Sequence, residues 1–267
     1  MNKAVVFLAN NPSQGTLDFA IELTNATDFS VFIVIDNNEK YYGKSFKDVN
    51  IIQVPDSICL EKGYKNSNIS NEATHIKKNP ISLDKFLYSF CEINKMFDFV
   101  WVFEDDVFIP SVEVLVNLDE KYSEFDLITP NNFYKKDSIL DWHWKHVIDK
   151  HDAPYYYSMI CGMGLSRTML NTIKRYVGWY NELFYCEIMF NTLAFHNQLK
   201  VKDAYEFKSI VWMGKWDIDE FLLLPNNVFH PRKDINNHKN LRKQIEEAKK
   251  ICYIPKNILP NFIKKAN

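Results

Sequence analysis

Three acidic residues directly follow a run of five apolar residues in the sequence FVWVFEDDVFIP, residues 99–110. On an extended chain Glu104 and Asp106 point to the same side, whereas Asp105 points away. Like charges this close raise each other's pKa unless a cation neutralises them. A divalent ion held by one or two carboxylates and completed by phosphate oxygens satisfies this need. Short acidic runs also end strands without binding a ligand, so this run alone leaves both interpretations open.

A histidine followed by two cations occurs late in the chain, in VFHPRK, residues 228–233. The proline after His230 favours extended backbone over helix at this histidine. A neutral imidazole is a good ligand for a transition-series ion such as Mn²⁺. Lys233 or Arg232 could stabilise the charge on a departing diphosphate. The alternative is a surface His-Pro turn with solvated cations.

Glu187 lies in the segment NELFYCEIMFNTLAF, whose spacing predicts a helix. Leu183, Phe190 and Ala194 fall on the same helical face as this glutamate, which places it on the buried stripe. Desolvation there raises a carboxyl pKa and suits the group to act as a general base. The alternative is a structural ion pair with a buried Arg or Lys. Glu182 is the exposed alternative candidate for the base.

Two glycines and two tryptophans are further candidates. Gly162 and Gly164 stand inside the apolar run SMICGMGLSR, where small residues indicate close approach of the backbone to a ligand. A bulge or tight packing explains them equally well. Trp142 and Trp144 belong to the aromatic segment 131–157, which we expect to cover a site and to wall an acceptor. Core packing is the alternative for these tryptophans.

Continuously apolar runs, separated by segments of helix length, determine the predicted fold class. Such runs are typical of strands buried on both faces of a mainly parallel sheet. We therefore predict an α/β fold with helices on both sides of the sheet. The predicted strands are Ala4–Ala9, Val31–Ile35, Ile51–Val54, Phe97–Phe103, Leu127–Thr129 and Phe207–Met213.

Helical periodicity and capping signals predict the elements between the strands. Ser82 is the predicted N-cap of the second helix, and the last helix, rich in Lys, Arg and Glu, is predicted to be solvated. The predicted helices are Leu17–Thr24, Leu83–Lys95, Arg167–Tyr176, Tyr180–Asn197 and Asn236–Lys250. We expect residues 1–235 to form a single domain, with the C-terminal helix and tail 236–267 packed on it.

Composition and charge exclude several classes of function. The chain has 267 residues and a net charge of −2, which gives no electrostatic footprint for a nucleic acid. No apolar run reaches the length of roughly 18 residues that a membrane span needs. Five scattered cysteines without a CxxC pair indicate free thiols. We therefore expect a cytoplasmic protein, and its oligomeric state is left open.

The order of these motifs resembles the nucleotide-sugar glycosyltransferases of the GT-A fold. The resemblance rests on a strand followed by EDD, the segment GMGLSR, a helix that bears an acid, and the late stretch HPRK. Two further segments, GYKN at 63–66 and ISLDK at 81–85, resemble the donor side of related sequences. The similarity spans residues 4–235, with the acid run in the place of the DXD metal motif.

The resemblance implies a role for each matching position. Asp106 and His230 would bind Mn²⁺ or Mg²⁺, and Glu104 or Asp105 would help through water or the ribose. Glu187 matches the catalytic base of inverting members. The positions implied to contact the nucleotide or the donor sugar are Asn10, Pro12, Asp36, Lys85, Glu104, Asp105 and Lys233.

The implied activity is transfer of a sugar from a nucleotide-diphosphate donor, with UDP as the expected nucleotide, to a hydroxyl of a glycan or glycoconjugate. Two departures affect the stereochemistry and the choice of base: the motif reads EDD rather than DXD, and YCE stands where many relatives have adjacent acids. A metal-dependent nucleotidyl- or phosphotransferase remains an alternative, as does an inactive nucleotide-sugar-binding module.

Overall fold

The computed structural model describes residues 1–66, 80–131, 133–135, 147 and 152–250, and it is built around an eight-stranded sheet. Two more strands form a separate antiparallel pair. The strands are β1 Lys3–Ala9, β2 Ser30–Ile35, β3 Ser45–Phe46, β4 Val49–Gln53, β5 Phe99–Glu104, β6 Leu127–Thr129, β7 Phe133–Lys135, β8 Tyr155–Tyr157, β9 Gly162–Ser166 and β10 Val201–Asp203.

The main sheet has the strand order β10-β6-β9-β5-β1-β2-β4-β3. Six of its strands run in one direction, whereas β9 and the short β3 run antiparallel to their neighbours. The predicted α/β class with a mainly parallel sheet is therefore confirmed. The antiparallel β9, inserted between β5 and β6, was not expected.

Helices cover both faces of this sheet, because β1, β2 and β5 are apolar on both sides and bury nearly every residue. A π-helical turn at Ser89–Ile93 continues α3, and 3₁₀ turns occur at Tyr205–Phe207 and Ile235–Asn237. The helices are α1 Gln14–Ala26, α2 Asp56–Glu61, α3 Ser82–Tyr88, α4 Val112–Tyr122, α5 Arg167–Tyr180, α6 Cys186–His196, α7 Ile218–Leu223 and α8 His238–Lys250.

The central strands end at the same edge of the sheet. In the parallel register Ala9 lies beside Ile35, and Leu8 lies beside Glu104. The chain runs outward from β1 through β2 and β4, and then returns to place β5 on the other side of β1. In open parallel sheets, ligands bind outside the carboxyl ends of the strands where the order reverses in this way. Here that point lies between β1 and β5.

The predicted strand Phe207–Met213 is wrong. Phe207 closes a 3₁₀ turn, and its ring packs edge-on against Trp101 on the face of the sheet, with 6.2 Å between ring centroids. Ile210 makes an isolated bridge to His230, while Met213 is exposed. The run is apolar because it covers the sheet from one side, and it does not lie within the sheet.

Several helix boundaries also differ from prediction. Helix α3 begins at Ser82, and its cap is formed by Asp84, whose carboxylate accepts a hydrogen bond of 2.9 Å from the backbone of Ile81. Helix α6 begins only at Cys186, because α5 ends at Asn181 in the left-handed conformation and the intervening residues are not helical. Helices α2, α4 and α7 were not predicted.

The last helix is amphipathic rather than wholly solvated. In α8, Leu241 and Ile245 occur four residues apart and pack with three buried phenylalanines, Phe108, Phe221 and Phe229. The abundant Lys, Arg and Glu of this helix concealed a narrow apolar stripe.

No helix in the described part of the chain is both long and apolar enough to cross a membrane.

A substitution at Gly164 tests the packing of β9 on β5. A Cβ atom added there lies 2.8 Å from Cζ of Phe99, so Gly164→Ala is expected to lower the free energy of unfolding by about 1–3 kcal/mol through overpacking. Gly178→Ala is the matched control, because an added Cβ meets nothing within 4 Å in α5. This change is expected to stabilise the protein by about 0.5 kcal/mol. Denaturant unfolding checks both, and equal effects at the two glycines would contradict the described packing.

Candidate functional site

A cleft of about 320 Å³ opens at the carboxyl edge of the sheet. It brings together residues that follow three different strands and one late loop. Six of its lining residues are candidates from the sequence, namely Asn10, Asp36, Glu104, Asp105, Asp106 and Lys233, and the remaining three are Leu8, Ser82 and Ile235. The sequence pattern therefore located the principal residues of a single cleft.

The acid run is positioned by pairing with the segment that carries His230. Glu104 ends β5, and a turn follows in which the backbone of Val107 donates to the carbonyl of Glu104. Beyond the turn, Phe108 and Phe229 exchange backbone hydrogen bonds of 2.8 and 3.0 Å. The backbone of Arg232 then donates to the carbonyl of Asp106 at 2.8 Å. These bonds fix His230 beside the carboxylates, although more than 120 residues separate them in sequence.

The His230 imidazole presents one nitrogen to the acids and uses the other for a structural bond. Nδ1 lies 2.9 Å from the carbonyl of Val211, to which it donates. Nε2 lies 3.4 Å from Oδ1 of Asp106 and 3.9 Å from Oε2 of Glu104. A carbonyl that orients the second ring nitrogen is typical of histidines that bind metals. The residues present therefore fit a divalent ion.

The three acids differ in their protonation behaviour. Burial and the neighbouring Asp106 raise the pKa of Glu104. Burial and the same neighbour raise the pKa of Asp105 to about 6. Burial also acts on Asp106, but hydrogen bonds with His230 and Lys233 outweigh it and lower its pKa. Asp106 is therefore the carboxylate that stays charged over the widest pH range.

Two cationic side chains take part in this arrangement. Burial alone would lower the pKa of His230, but its hydrogen bond and charge interaction with Asp106 prevail and raise that pKa. The ammonium of Lys233 lies 3.1 Å from Oδ2 of Asp106, and its side chain is 82% exposed. Lys233 can therefore leave Asp106 and contact an anion in the cleft at little energetic cost.

Cys161 belongs to the site and was missed by sequence analysis. Ligand atoms of Glu104, Cys161 and His230 all lie within 4.8 Å of one another. The backbone of Glu104 donates to the carbonyl of Cys161 at 2.8 Å, next to the β5–β9 ladder. In the sequence this cysteine was one of five scattered thiols. Only the antiparallel register of β9 brings it to the acids.

Glu187 is buried, as predicted, in the first turn of α6. Burial, and secondly the charge of Glu104, raise the pKa of its carboxyl to about 7. The hydroxyl of Tyr185 donates a long hydrogen bond of 3.5 Å to it. No cation in the described part of the chain pairs with Glu187. None of the described residues therefore supports the alternative that this glutamate forms a structural ion pair. Its carboxylate is close enough to the acid run for the charge of Glu104 to contribute to this raised pKa.

Lys85 does not lie open to the cleft, contrary to its predicted contact with the donor. Its side chain is fully buried, and its ammonium lies 2.7 Å from Oδ1 of Asp56 and 3.5 Å from Oδ1 of Asp36. It also donates to the carbonyl of Asp36. An ammonium with three such oxygen partners orients Asp36, which follows β2 and lines the cleft. Lys85 therefore acts on the cleft through this aspartate.

The two glycines need correction as well. An added Cβ at Gly162 meets Ile210 and Phe103, and one at Gly164 meets Phe99 and Trp101. Both positions are small because aromatic and aliphatic side chains pack against them, so the predicted approach to a ligand is not their reason. Of the other candidates, Pro12 follows Asn10 at the first turn after β1 without lining the cleft. Trp142 and Trp144 lie outside the described residues.

Comparisons with known proteins give only structural similarity. No protein-family model matches the sequence, and no curated protein matches it. A 4-diphosphocytidyl-2C-methyl-D-erythritol synthase from Anaerococcus prevotii has a TM-score of 0.43 and 8% identity, over 92% of this chain and 95% of that chain. An active-site mutant of LgtC has a TM-score of 0.44 and 10% identity, over 91% and 95%.

Replacing Lys85 tests its role as the buried partner of two aspartates. Lys85→Met is expected to lower the free energy of unfolding by about 3 kcal/mol, because it leaves Asp36 and Asp56 without their shared cation. Lys62→Met is the control, since Lys62 pairs with Glu61 on the surface, where such a pair contributes little to stability. Denaturant unfolding measures both. A Lys85 variant as stable as the control would show that this pairing is not important for folding.

Proposed function

We propose that this protein is a metal-dependent glycosyltransferase. It transfers a sugar from a nucleotide-diphosphate donor, with UDP-sugars as the first class to test, to a hydroxyl group of a glycan or glycoconjugate. The observation that carries this proposal is the presence of two separate carboxylate centres. One is the Glu104–Asp106 run with His230 in the open cleft, and the other is buried Glu187, whose pKa is raised to about 7.

The first centre suits the diphosphate of the donor. Asp106 and His230, with Glu104 beside them, would hold Mn²⁺ or Mg²⁺, which when bound neutralises phosphate charge and assists its departure. Lys233 is exposed and flexible, and it can turn its ammonium from Asp106 to the leaving diphosphate. The cleft thus provides carboxylates that can hold a metal ion, and it provides the exposed ammonium of Lys233 for the diphosphate.

The nucleotide is assigned to the β1 and β2 side of the same cleft. Asn10 follows β1 and Asp36 follows β2, and both line the same cleft as Lys233. A carboxylate at the end of the second strand can accept hydrogen bonds from ribose hydroxyls. Lys85 fixes its orientation from below. Pro12 lies in the loop between β1 and α1, and we retain it as a candidate contact.

Glu187 is proposed as the general base. A carboxyl group with a pKa near 7 is deprotonated for about half of the molecules at neutral pH and accepts a proton efficiently. It removes the proton from the acceptor hydroxyl, whose oxygen forms the new bond to the anomeric carbon as the bond from that carbon to the diphosphate oxygen breaks. Attack from the face opposite the leaving group inverts the configuration.

Two other functions compete with this proposal. A nucleotidyl- or phosphotransferase also needs acids at the end of a strand, and a sugar-binding module could keep both His230 and the acids. Neither requires a buried carboxyl group at Glu187, with which no cation of the described residues pairs. Burying such a group is unfavourable unless it is neutral or functional, which favours a reaction that needs a base.

Product analysis distinguishes the three functions. The protein is incubated with Mn²⁺ and a panel of nucleotide sugars, or with nucleoside triphosphates and sugar phosphates. Release of a nucleoside diphosphate with loss of the sugar is expected for the first panel. Pyrophosphate release from the second panel would instead identify a nucleotidyltransferase. Saturable binding without any turnover in either panel would identify a binding module.

The pH dependence of transfer tests the role of Glu187. Because the base acts when deprotonated, kcat/KM is expected to rise with pH and to reach half its plateau near pH 7. Glu187→Gln is expected to lower kcat by about 100- to 10,000-fold while donor and metal binding persist. Glu182→Gln, the matched control on the preceding loop, should keep the rising limb. Normal turnover in Glu187→Gln would remove this residue from the mechanism.

Replacing Asp106 tests the metal and donor centre. Asp106→Asn is expected to weaken Mn²⁺ and donor binding together, each by about 10- to 100-fold, since the ligand and its charge are both lost. Asp98→Asn makes the same change before the opposite end of β5, where the carboxylate accepts a hydrogen bond from the backbone of Asn2. Calorimetric titration measures both variants. Unchanged Mn²⁺ affinity in Asp106→Asn would contradict the assignment.

A further inference from the structure

Three chemically different ligand atoms converge at the inner end of the cleft. A carboxylate oxygen of Glu104, the sulfur of Cys161 and an imidazole nitrogen of His230 lie within 4.8 Å of one another. Cys161 and His230 are buried, whereas Glu104 is partly exposed toward the cleft. Sulfur, nitrogen and oxygen donors in one cluster are not what a purely hard-cation site requires.

We propose that Cys161 is a metal ligand and that this centre selects a thiophilic divalent ion such as Zn²⁺ over Mg²⁺. The proposal deepens the proposed function, on which it rests for the catalytic use of the metal but not for its binding. The ligand set is Glu104, Cys161 and His230, with Asp106 as the adjacent fourth group.

The spacing of the donors supports this assignment. Bond lengths of about 2.0–2.1 Å to oxygen and nitrogen, and of about 2.3 Å to sulfur, place tetrahedral ligand atoms roughly 3.5 Å apart. His230 Nε2 is 3.9 Å from Glu104 and 3.4 Å from Asp106. The three ligand atoms lie within 4.8 Å of one another, so they need to approach by at most about 1.3 Å to hold an ion.

The backbone around each donor restricts where its ligand atom can go. Cys161 immediately precedes β9, and its carbonyl is bound by the backbone of Glu104. His230 is held by Val211 through its other ring nitrogen. Binding of the ion displaces the thiol proton, which leaves to solvent, and forms the metal–sulfur bond. Two anionic ligands and a neutral imidazole then balance the charge of the ion.

The soft sulfur of Cys161 determines the selectivity of the site for Zn²⁺ over Mg²⁺. Thiolate ligands favour Zn²⁺ and related ions, whereas Mg²⁺ takes oxygen ligands and keeps several waters. A site with carboxylates alone would discriminate less strongly. Cys161 is thus the residue that separates this centre from one made for Mg²⁺.

Co²⁺ is the spectroscopic probe for this ligand set. The full chain, freed of metal with a chelator, is titrated with Co²⁺, and a thiolate-to-cobalt charge-transfer band in the near ultraviolet is expected. Zn²⁺ added afterwards should remove this band by displacement, whereas Mg²⁺ at the same concentration should not. Zn²⁺ affinity is then measured by competition with a chromophoric chelator.

Variants assign the band to one sulfur. Cys161→Ser and Cys161→Ala are expected to abolish the band and to weaken Zn²⁺ binding by at least about 10- to 100-fold, with a smaller change for Mg²⁺. Cys91→Ser is the matched control, because its thiol donates to the carbonyl of Leu170 and lies outside the ligand cluster. Cys186→Ser tests the other cysteine in the acid-bearing segment. Both controls should retain the band, and circular dichroism confirms folding.

Several results would overturn the proposal. They are the absence of a thiolate band in the wild-type protein, equal Zn²⁺ affinity in both Cys161 variants, or loss of the band in Cys186→Ser alone. The first needs no variant, so it decides the question even if substitution at Cys161 impairs folding. Zn²⁺ bound through Cys161 without any sugar transfer would sustain this inference and refute the proposed function. Sugar transfer that depends on Mg²⁺, with no thiolate band, would sustain the proposed function and refute this inference.

Discussion

The backbone pairing between the loop after β5 and the late segment 228–232 determines the rest of the site. Phe108 and Phe229 bond to each other through their backbones, and Arg232 bonds to the carbonyl of Asp106. Below these bonds, Phe108, Phe221 and Phe229 form a small apolar cluster closed by α8. The imidazole of His230 reaches the acids because this cluster anchors the late segment. A substitution that loosened α8 would therefore act on the cleft through His230, without any contact of its own.

The carboxyl groups of Asp106 and Glu187 are both buried, but their pKa values shift in opposite directions. Hydrogen bonds with His230 and Lys233 outweigh burial and lower the pKa of Asp106, whereas burial, and secondly the charge of Glu104, raise the pKa of Glu187. A ligand for a cation must stay charged, but a base must change its charge during the reaction. Asp106 lies in the open cleft and Glu187 lies in the first turn of α6, so the two proposed roles fall on different carboxyl groups.

The sequence was informative where function and local pattern coincide. Continuously apolar runs located β1, β2 and β5, and the acids after β5 marked the cleft, because both signals are local along the chain. Cys161 escaped notice because its proximity to the acids depends on an antiparallel neighbour, which no local pattern specifies. Lys85 was placed at the donor because the segment ISLDK resembles the donor side of related sequences. Its actual partners, Asp36 and Asp56, follow other strands, and their distance from it is set by the packing of α3.

The acid run carries more negative charge than the nearby cations of the described residues can balance. Glu104, Asp105 and Asp106 stand together at the end of a buried strand, and the nearby cations of the described residues are His230 and the exposed Lys233. Lys85 cannot assist them, because two other aspartates already occupy its ammonium. Burial, and secondly the charge of Asp106, raise the pKa of both Glu104 and Asp105. A divalent ion held at the proposed site would relieve this crowding of negative charge. It would also free Lys233 from Asp106, and Lys233 is the cation that the proposed mechanism assigns to an incoming diphosphate.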